Sequence, residues 1–392
     1  MRMIYADNAA TTKLSPTALA AMIPYFTEGF GNPSSLYDFG TKARSALEQA
    51  RADVAQCLNA QTDEIFFTSG GTESDNWTLR GVAEALGRRG KHILISAIEH
   101  HAILHTGDWL RKQGFEVELL PVDAYGKVQP DILHNALRPD TILVSVMLAN
   151  NEIGTIQPIK ELSAIAHTNG ALFHTDAVQA VGHIPVDVED LGVDLLSLSS
   201  HKFHGPRGVG ALYVRHKTPL LPLIHGGGQE RGRRSGTENV AGAVGMAAAL
   251  QERIAALDTN MPRLTALRDK IIREMLRLPY ARLTGHPDDR LPSIASLVFE
   301  GIEGESILLQ LDARGICASS GSACSSTSLE PSHVLLAIGL PHAIAHGSVR
   351  LSLGDDITED EVDTIIQDLT EVVNDLRALS PVWDVAAQRP TW

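Results

Sequence analysis

Two short apolar runs in this chain end abruptly in residues with chemical reach. Residues 171–173 give way to His174, Thr175 and Asp176, with Gln179 close behind, and residues 195–198 give way to Ser199, Ser200, His201 and Lys202. Runs of that length, bounded by polar residues and glycine, are predicted to be buried strands of a parallel sheet. Open α/β sheets bind ligands at the carboxyl ends of their strands, so Asp176 and Lys202 are expected side by side on one sheet edge. A lysine held among small polar groups can form a Schiff base with a carbonyl cofactor. One such cofactor, pyridoxal phosphate, also needs a carboxylate against its ring nitrogen to act as an electron sink. In that chemistry Asp176 meets the ring nitrogen, Gln179 reaches the ring hydroxyl, and Ser199 and His201 reach the phosphate. A solvated lysine or a strand-end aspartate is ordinary when met alone; the pair carries the argument.

Other residues fit the same edge. Gly70-Gly71-Thr72 turns a predicted strand (64–68) into a helix that begins near Glu73. The N–H groups and dipole at such a helix start favour an anion, Thr72 adds a hydroxyl, and the lysine of a P-loop is missing. His100 and Asn151 each follow a predicted strand (92–97 and 141–147), where His100 can stack on a ring and move protons and Asn151 can approach the ring hydroxyl. Arg350, in HGSVRLSLG, interrupts an apolar strand pattern. A buried arginine needs an anion, and either a substrate carboxylate gripped bidentately or a structural salt bridge would serve. Cys324 lies in ASSGSACSSTSLEPSH, a run with almost nothing to bury, which predicts a mobile loop at about 318–330 and a thiol available for chemistry. Cys57 sits on a helix beside Val54 and Leu58, and Cys317 at a strand end; both are expected to be structural. No histidine or cysteine pairs stand at zinc-ligand spacing, so no intrinsic metal is expected.

The elements that must position these residues alternate between helix and strand, which implies an α/β architecture with a mostly parallel sheet. DNAATT at 7–12 precedes a helix start at Ser15-Pro16, a polar turn GFGNPSS follows at 29–35, and a helix with Ala43, Leu47, Ala50 and Val54 on one face spans 41–58. With 392 residues the chain exceeds one typical core. A helix at 238–257 is expected to end at a domain boundary in 258–262. That gives a large domain at 16–258 and a smaller α+β domain formed by 1–15 plus 259–392. A net charge of -14 argues against non-specific nucleic-acid binding. No apolar run of bilayer length and no signal peptide is recognised, so a membrane is not expected. Three cysteines are too few for a disulfide framework and fit a reducing cytoplasm.

Taken together, DNAATT, GNPSS, FFTSGGTESDN, EHHAI, ANNEIGT, HTDAVQAVG, SSHKFHGPRGVG, GGGQERGRRSGTEN, SSGSACSS, SLEPSHVL and HGSVRLSLG make the chain resemble a cysteine desulfurase of the class V aminotransferase group, within the type I pyridoxal phosphate fold. The resemblance covers nearly the whole chain. It implies that Lys202 binds pyridoxal 5'-phosphate, that Asp176 partners its ring nitrogen, and that His100 stacks on the ring. It places Gly71, Thr72, Ser199 and His201 at the phosphate and Asn151 and Gln179 at the ring. Thr237 would reach the phosphate of a neighbouring subunit in a homodimer. Asn32 and Arg350 would hold the carboxylate of L-cysteine. Cys324 would take the sulfur as a persulfide, leaving L-alanine, and deliver it to an acceptor protein, most naturally an iron-sulfur scaffold whose cluster it could contact transiently. SSGSACSS resembles the branch with a long cysteine loop, and QERGRRSGTEN and LSPVW resemble nitrogenase-associated members. His101 and the extra thiol Cys317 depart from the pattern. An aminotransferase or selenocysteine lyase of the same fold, or a catalytically idle sulfur-trafficking scaffold, remain open alternatives.

Overall fold

The computed structural model describes residues 3–320 and 331–391. Cys324, and with it the loop expected at its position, falls in 321–330 and so lies outside the described residues.

The elements in chain order are β1 (Ile4–Tyr5), α1 (Pro16–Thr27), α2 (Asp38–Cys57), β2 (Ile65–Thr68), α3 (Gly71–Leu86), β3 (His92–Ser96), α4 (His101–Lys112) and β4 (Glu116–Leu120). Next come α5 (Pro130–Ala136), β5 (Thr141–Ser145), α6 (Ile159–Thr168), β6 (Leu172–Asp176), α7 (Val188–Leu191), β7 (Leu195–Ser199) and β8 (Gly210–Val214). The chain continues with α8 (Val240–Met275), β9 (Ala281–Leu283), β10 (Ile294–Phe299), α9 (Gly304–Ala313), β11 (Ile316–Cys317), α10 (His333–Ala337), α11 (His342–Ala345), β12 (Ser348–Ser352), α12 (Glu359–Leu379), β13 (Trp383–Asp384) and β14 (Arg389–Pro390).

Seven strands form the central sheet in the order β2-β8-β7-β6-β5-β3-β4. Strands β7, β6, β5, β3 and β4 run parallel, while β8 is antiparallel to both its neighbours. It follows that β2 and the five parallel strands all point their carboxyl ends at one edge. Strands β3, β5 and β7 are buried along their whole length, because helices cover both faces of the sheet. On one face Leu47, Val54, Leu162, Met246 and Leu250 pack against the sheet; on the other, Trp77, Leu79, Ile103 and Leu110 do so.

A second core gathers around the antiparallel sheet β12-β10-β9 with α9, α12 and the far half of α8. Ile4 and Ala6 belong to it, since β1 pairs in parallel with β11. The expected break at 258–262 is instead the interior of α8, which runs unbroken through Pro262. Its first half buries Met246 and Leu250 in the sheet core and its second half buries Leu264, Ile271 and Met275 in the second core. Proline in a helix interior loses a hydrogen bond and crowds the preceding turn; apolar burial at both ends offsets that cost. This helix also contains a stretch long and apolar enough to cross a bilayer, contrary to the sequence reading. That stretch is 61% buried inside the protein, as a core helix would be. The helix at Ser15-Pro16 begins where expected, with Ser15 Oγ accepting from Ala18 N at 3.0 Å.

Candidate active site

A cavity of about 320 Å³ opens at the carboxyl edge of the central sheet. It is lined by Ala9, Ala10, Gly71, Thr72, Asp75, His100, Met147, Asn151, Asp176, Val178, Gln179, Ser199, His201, Lys202 and Arg350. Asp176 closes β6 and Ser199 closes β7, two paired parallel strands. Lys202 ends the single 3-10 turn that follows β7. Both strands run further than their apolar stretches, because the polar residues at their ends are themselves buried: Asp176 is 4% and Ser199 3% exposed. A larger cavity of about 770 Å³ lies between Tyr5, Lys13, His204, Arg253 and Asp356. None of Asp176, Ser199 and Lys202 lines it, so volume does not identify the site here.

One corner of the smaller cavity is built for an anion. Gly70 has φ of 151°, a conformation that glycine tolerates, and it turns the chain into the first residue of α3. A Cβ on Gly71 would stand 2.6 Å from Val178 Cγ2, so only glycine fits against that wall. An adjoining cup of about 300 Å³ brings together Gly71, Thr72, Ser199, His201, Thr11 and Arg207. Free N–H groups at the start of a helix, hydroxyls and an arginine are the donor set an anionic oxygen requires. His201 Nδ1 lies 3.1 Å from Thr11 Oγ1.

The opposite wall is acidic and dry. Burial raises the Asp176 carboxyl to about 6, against the lowering effects of the Val178 N–H and Lys202, so it is ionised at neutral pH. Beside it Asp75 is 1% exposed, and burial and the Asp176 charge hold its carboxyl well above the usual range. Glu99 is fully buried; its Oε1 accepts from Ser96 Oγ at 2.5 Å and Met147 N at 2.7 Å, and burial lifts it to about 8. Three carboxyl groups packed together out of water do not all ionise. The geometry leaves the charge on Asp176, the one that faces Lys202.

The remaining walls bring donors and acceptors from distant segments. Lys202 Nζ donates to Ala9 O at 2.6 Å and Ala10 O at 2.8 Å, and Gln179 Nε2 donates to Ala9 O at 2.9 Å. His100 caps α4, with Nδ1 accepting from Ala102 N at 3.1 Å. Burial, and then Lys202, push its imidazole down to about 4, so it is a neutral base near pH 7. Arg350, in the middle of β12 and 4% exposed, donates from Nη1 to Asn151 O at 2.9 Å and from Nη2 to Asp7 Oδ1 at 2.8 Å. Of the two partners weighed for this arginine, the structure supplies an internal salt bridge.

Not every expected residue reaches the cavity. Asn32 is exposed on the turn before α2, where its Oδ1 accepts from Ser34 N at 2.9 Å. Thr237 is also exposed and does not line the cavity of its own chain. It follows a loop pinned from below, where Glu230 forms a buried bidentate pair with Arg51 (2.6 and 2.9 Å) and Arg234 reaches Glu73 at 2.8 Å. Cys57 packs at the edge of the sheet core, where burial pushes its thiol up to about 11; Cys317, in β11, is raised as well. The sequence reading missed Asp7, the carbonyls of Ala9 and Ala10, Asp75 and Arg207. Asp75 had a signal: with Leu79 and Val82 it forms an i, i+4, i+7 stripe on the buried face of α3, a carboxylate where a hydrophobe belongs.

The aminotransferase class-V family profile matches residues 4–365. A relative named cysteine desulfurase IscS from Methanosarcina thermophila is 55% identical over 97% of this chain and 94% of its own. One named cysteine desulfurase NifS from Azotobacter vinelandii is 46% identical over 98% of this chain and 96% of its own. Among solved structures, a NifS-like protein superposes with a TM-score of 0.90 at 41% identity, covering 95% of this chain and all of that one. Another, described as SspA in complex with cysteine, has a TM-score of 0.80 at 36% identity, covering 89% of this chain and 98% of that one.

Proposed function

The chain belongs to the aminotransferase class-V family, and we propose that within it this protein is a pyridoxal phosphate-dependent cysteine desulfurase, acting as a homodimer and passing sulfur to an acceptor for iron-sulfur cluster assembly. The observation that carries this reading is the placement in one cavity of Lys202, one turn beyond β7, and buried Asp176, at the end of the neighbouring β6. Relatives of that name match over nearly their full length.

The residues present fit the cofactor. The Gly71 cradle and the cup lined by Thr72, Ser199, His201 and Arg207 suit its phosphate. Asp176 suits a protonated ring nitrogen, His100 one face of the ring, and Gln179 and Asn151 its hydroxyl. When bound, pyridoxal phosphate supplies an electron sink for the carbanion formed at the substrate Cα. The protein does the rest. Lys202 Nζ is close to two carbonyls that orient it, and it takes the Cα proton. Neutral His100 accepts the proton of the substrate thiol. Cys324, as thiolate, attacks the substrate sulfur; the S–Cβ bond breaks, its electron pair stays with the carbon skeleton, and protonation there yields alanine. The sulfur remains on Cys324 as a persulfide. A reducing cytoplasm suits this step, because the thiol must return to the free state after each transfer.

Dimerisation is supported by an uncovered apolar surface. Leu19, Ile23 and Phe26 on α1, with Phe30, Leu36 and Tyr37 after it, are all between 48% and 94% exposed, more than a monomer usually leaves in water in one stretch. Exposed Thr237 is then free to serve a partner's phosphate cup, and exposed Asn32 the substrate. The loop QERGRRSGTEN favours a nitrogenase-type acceptor as one destination for the sulfur; comparing transfer to separate purified scaffold proteins distinguishes this from a general one. Reduction of the holoenzyme with borohydride, followed by peptide mapping, should find the cofactor fixed on Lys202. Fixation on a different lysine would refute the site.

A further inference from the structure

The guanidinium of Arg350 is held from two sides by segments that are far apart in sequence. Nη1 is fixed by the carbonyl of Asn151, in the turn after β5, and Nη2 by the carboxylate of Asp7, in the N-terminal segment. Neither support is loose. The Asp7 segment is laced to β12 itself, with Asn8 N donating to Ser352 O at 3.1 Å and Ser352 N donating to Ala6 O at 2.7 Å. Two residues further on, Ala9 O and Ala10 O receive Lys202. Arg350 therefore presents a plane fixed at both Nη atoms, while its Nε is buried with no hydrogen-bond partner among the described residues. A buried donor left without an acceptor is costly, and this one belongs to a residue that lines the cavity.

We propose that Asp7 is a positioning residue for substrate recognition: it orients the Arg350 guanidinium so that its open N–H groups meet the carboxylate of the incoming amino acid. The inference rests on the role that the family resemblance implies for Arg350, gripping the carboxylate of the substrate, and adds the residue whose salt bridge sets the arginine for it. A planar, two-pronged grip requires the arginine plane to be set before the ligand arrives. One acceptor lets a long side chain swing; acceptors at both Nη atoms stop it. Asp7 is also the counter-ion. Among the described residues the other carboxyl near Arg350 is Glu152, which is engaged by the Ser332 hydroxyl and which burial raises to about 7, so it carries less charge near neutrality. Without Asp7, Arg350 would be a buried cation left with the partly ionised Glu152, which the Ser332 hydroxyl already engages, and an underpartnered buried cation turns away toward water.

The opposite behaviour is also conceivable physically: Asp7 could compete with the substrate for the same donors. The two differ in sign, which makes the experiment decisive. Holoenzyme carrying Asp7→Ala, Asp7→Asn or Arg350→Ala is titrated with L-alanine and with L-alaninamide, which lacks the carboxylate charge, and binding is read from the cofactor absorbance. Asp7→Ala should weaken L-alanine about tenfold or more, the worth of a hydrogen bond to a charged group, and leave L-alaninamide unchanged. Asp7→Asn keeps an acceptor for Nη2 and should fall between wild type and Asp7→Ala; it carries the test if the alanine variant does not hold its cofactor. In turnover, KM for cysteine should rise with kcat unchanged. Equal weakening of both ligands, or tighter L-alanine binding, would overturn the role of Asp7. If Arg350→Ala itself fails to separate the two ligands, the carboxylate reading of Arg350 falls and this inference with it.

Discussion

Asp176 and Ser199 end two adjacent strands of one buried sheet and Lys202 closes the turn that follows, whereas Asn32 and Thr237 stand on exposed segments that do not line the cavity of their own chain. The first region, the floor, is fixed by hydrogen-bonded strand register; each of its residues is placed by its neighbour in the sheet. In the second region, the rim, the loop before Thr237 is held by the side-chain anchors Arg51–Glu230 and Arg234–Glu73, and Asn32 lies between the exposed Phe30 and Leu36. In the homodimer proposed above, the tasks divide accordingly: the floor gathers its groups within one chain, and the exposed rim serves the neighbouring subunit.

The contrast can be broken at the floor first. His100→Asn removes the neutral base while keeping a polar side chain, and turnover should fall by about 10²–10⁴-fold, the usual worth of a positioned acid–base group. The pH–rate profile of the wild type should keep His100 active well below the usual histidine range, since its imidazole is held down to about 4. At the rim, Glu230→Ala removes the buried partner of Arg51, itself 2% exposed, and leaves it only the half-exposed Glu48 as counter-ion. Breaking one partner of a buried pair costs about 3–5 kcal/mol, so denaturant unfolding should show a loss of that size, with the rim affected before the floor. A smaller effect tests the division between subunits. Mixing Thr237→Ala with Lys202→Ala protomers yields heterodimers in which one site carries both lesions and the other neither, so activity should partly recover. Absence of recovery after demonstrated subunit exchange would contradict a shared site.

The subtlest test concerns the acidic floor. Glu99 has a folded pKa of about 8, above the ordinary glutamate value of about 4.3. Its neutral form is the one the fold prefers, so its contribution is fully present below the unfolded pKa and is lost as pH rises through about 8. The cofactor-free wild type should therefore lose thermal stability relative to Glu99→Gln as pH climbs across that window. A difference that does not vary with pH would mean Glu99 is not held neutral.

How much of this was legible in the sequence depends on how local each signal is. The strand ends at Asp176 and Lys202, the glycine turn into α3, and His100 and Asn151 after their strands are all set by period and turn chemistry within a few residues, and the cavity gathers them. The pairing of Asp7 with Arg350 spans 343 positions, and nothing near either residue announces the other. The continuity of α8 was hidden because Pro262 reads as a break, while the burial that overrides it comes from two cores assembled from remote segments. Asn32 and Thr237 came from resemblance alone; their exposure in a single chain follows if they serve a site that a partner completes.

The central claim is that cysteine sulfur leaves its substrate by way of one thiol. The direct measurement is a single turnover of the holoenzyme with L-cysteine, quantifying alanine while alkylation and mass spectrometry map persulfide on all three cysteines. Burial holds the Cys57 thiol up at about 11 and raises Cys317 as well, so neither is a ready thiolate. The account predicts alanine and persulfide in equal amounts with the sulfur on Cys324, and neither product from Cys324→Ser even though that variant still binds the cofactor. Sulfur on Cys57 or Cys317 with Cys324 unmodified, or alanine formed at the wild-type rate by Cys324→Ser, would contradict it.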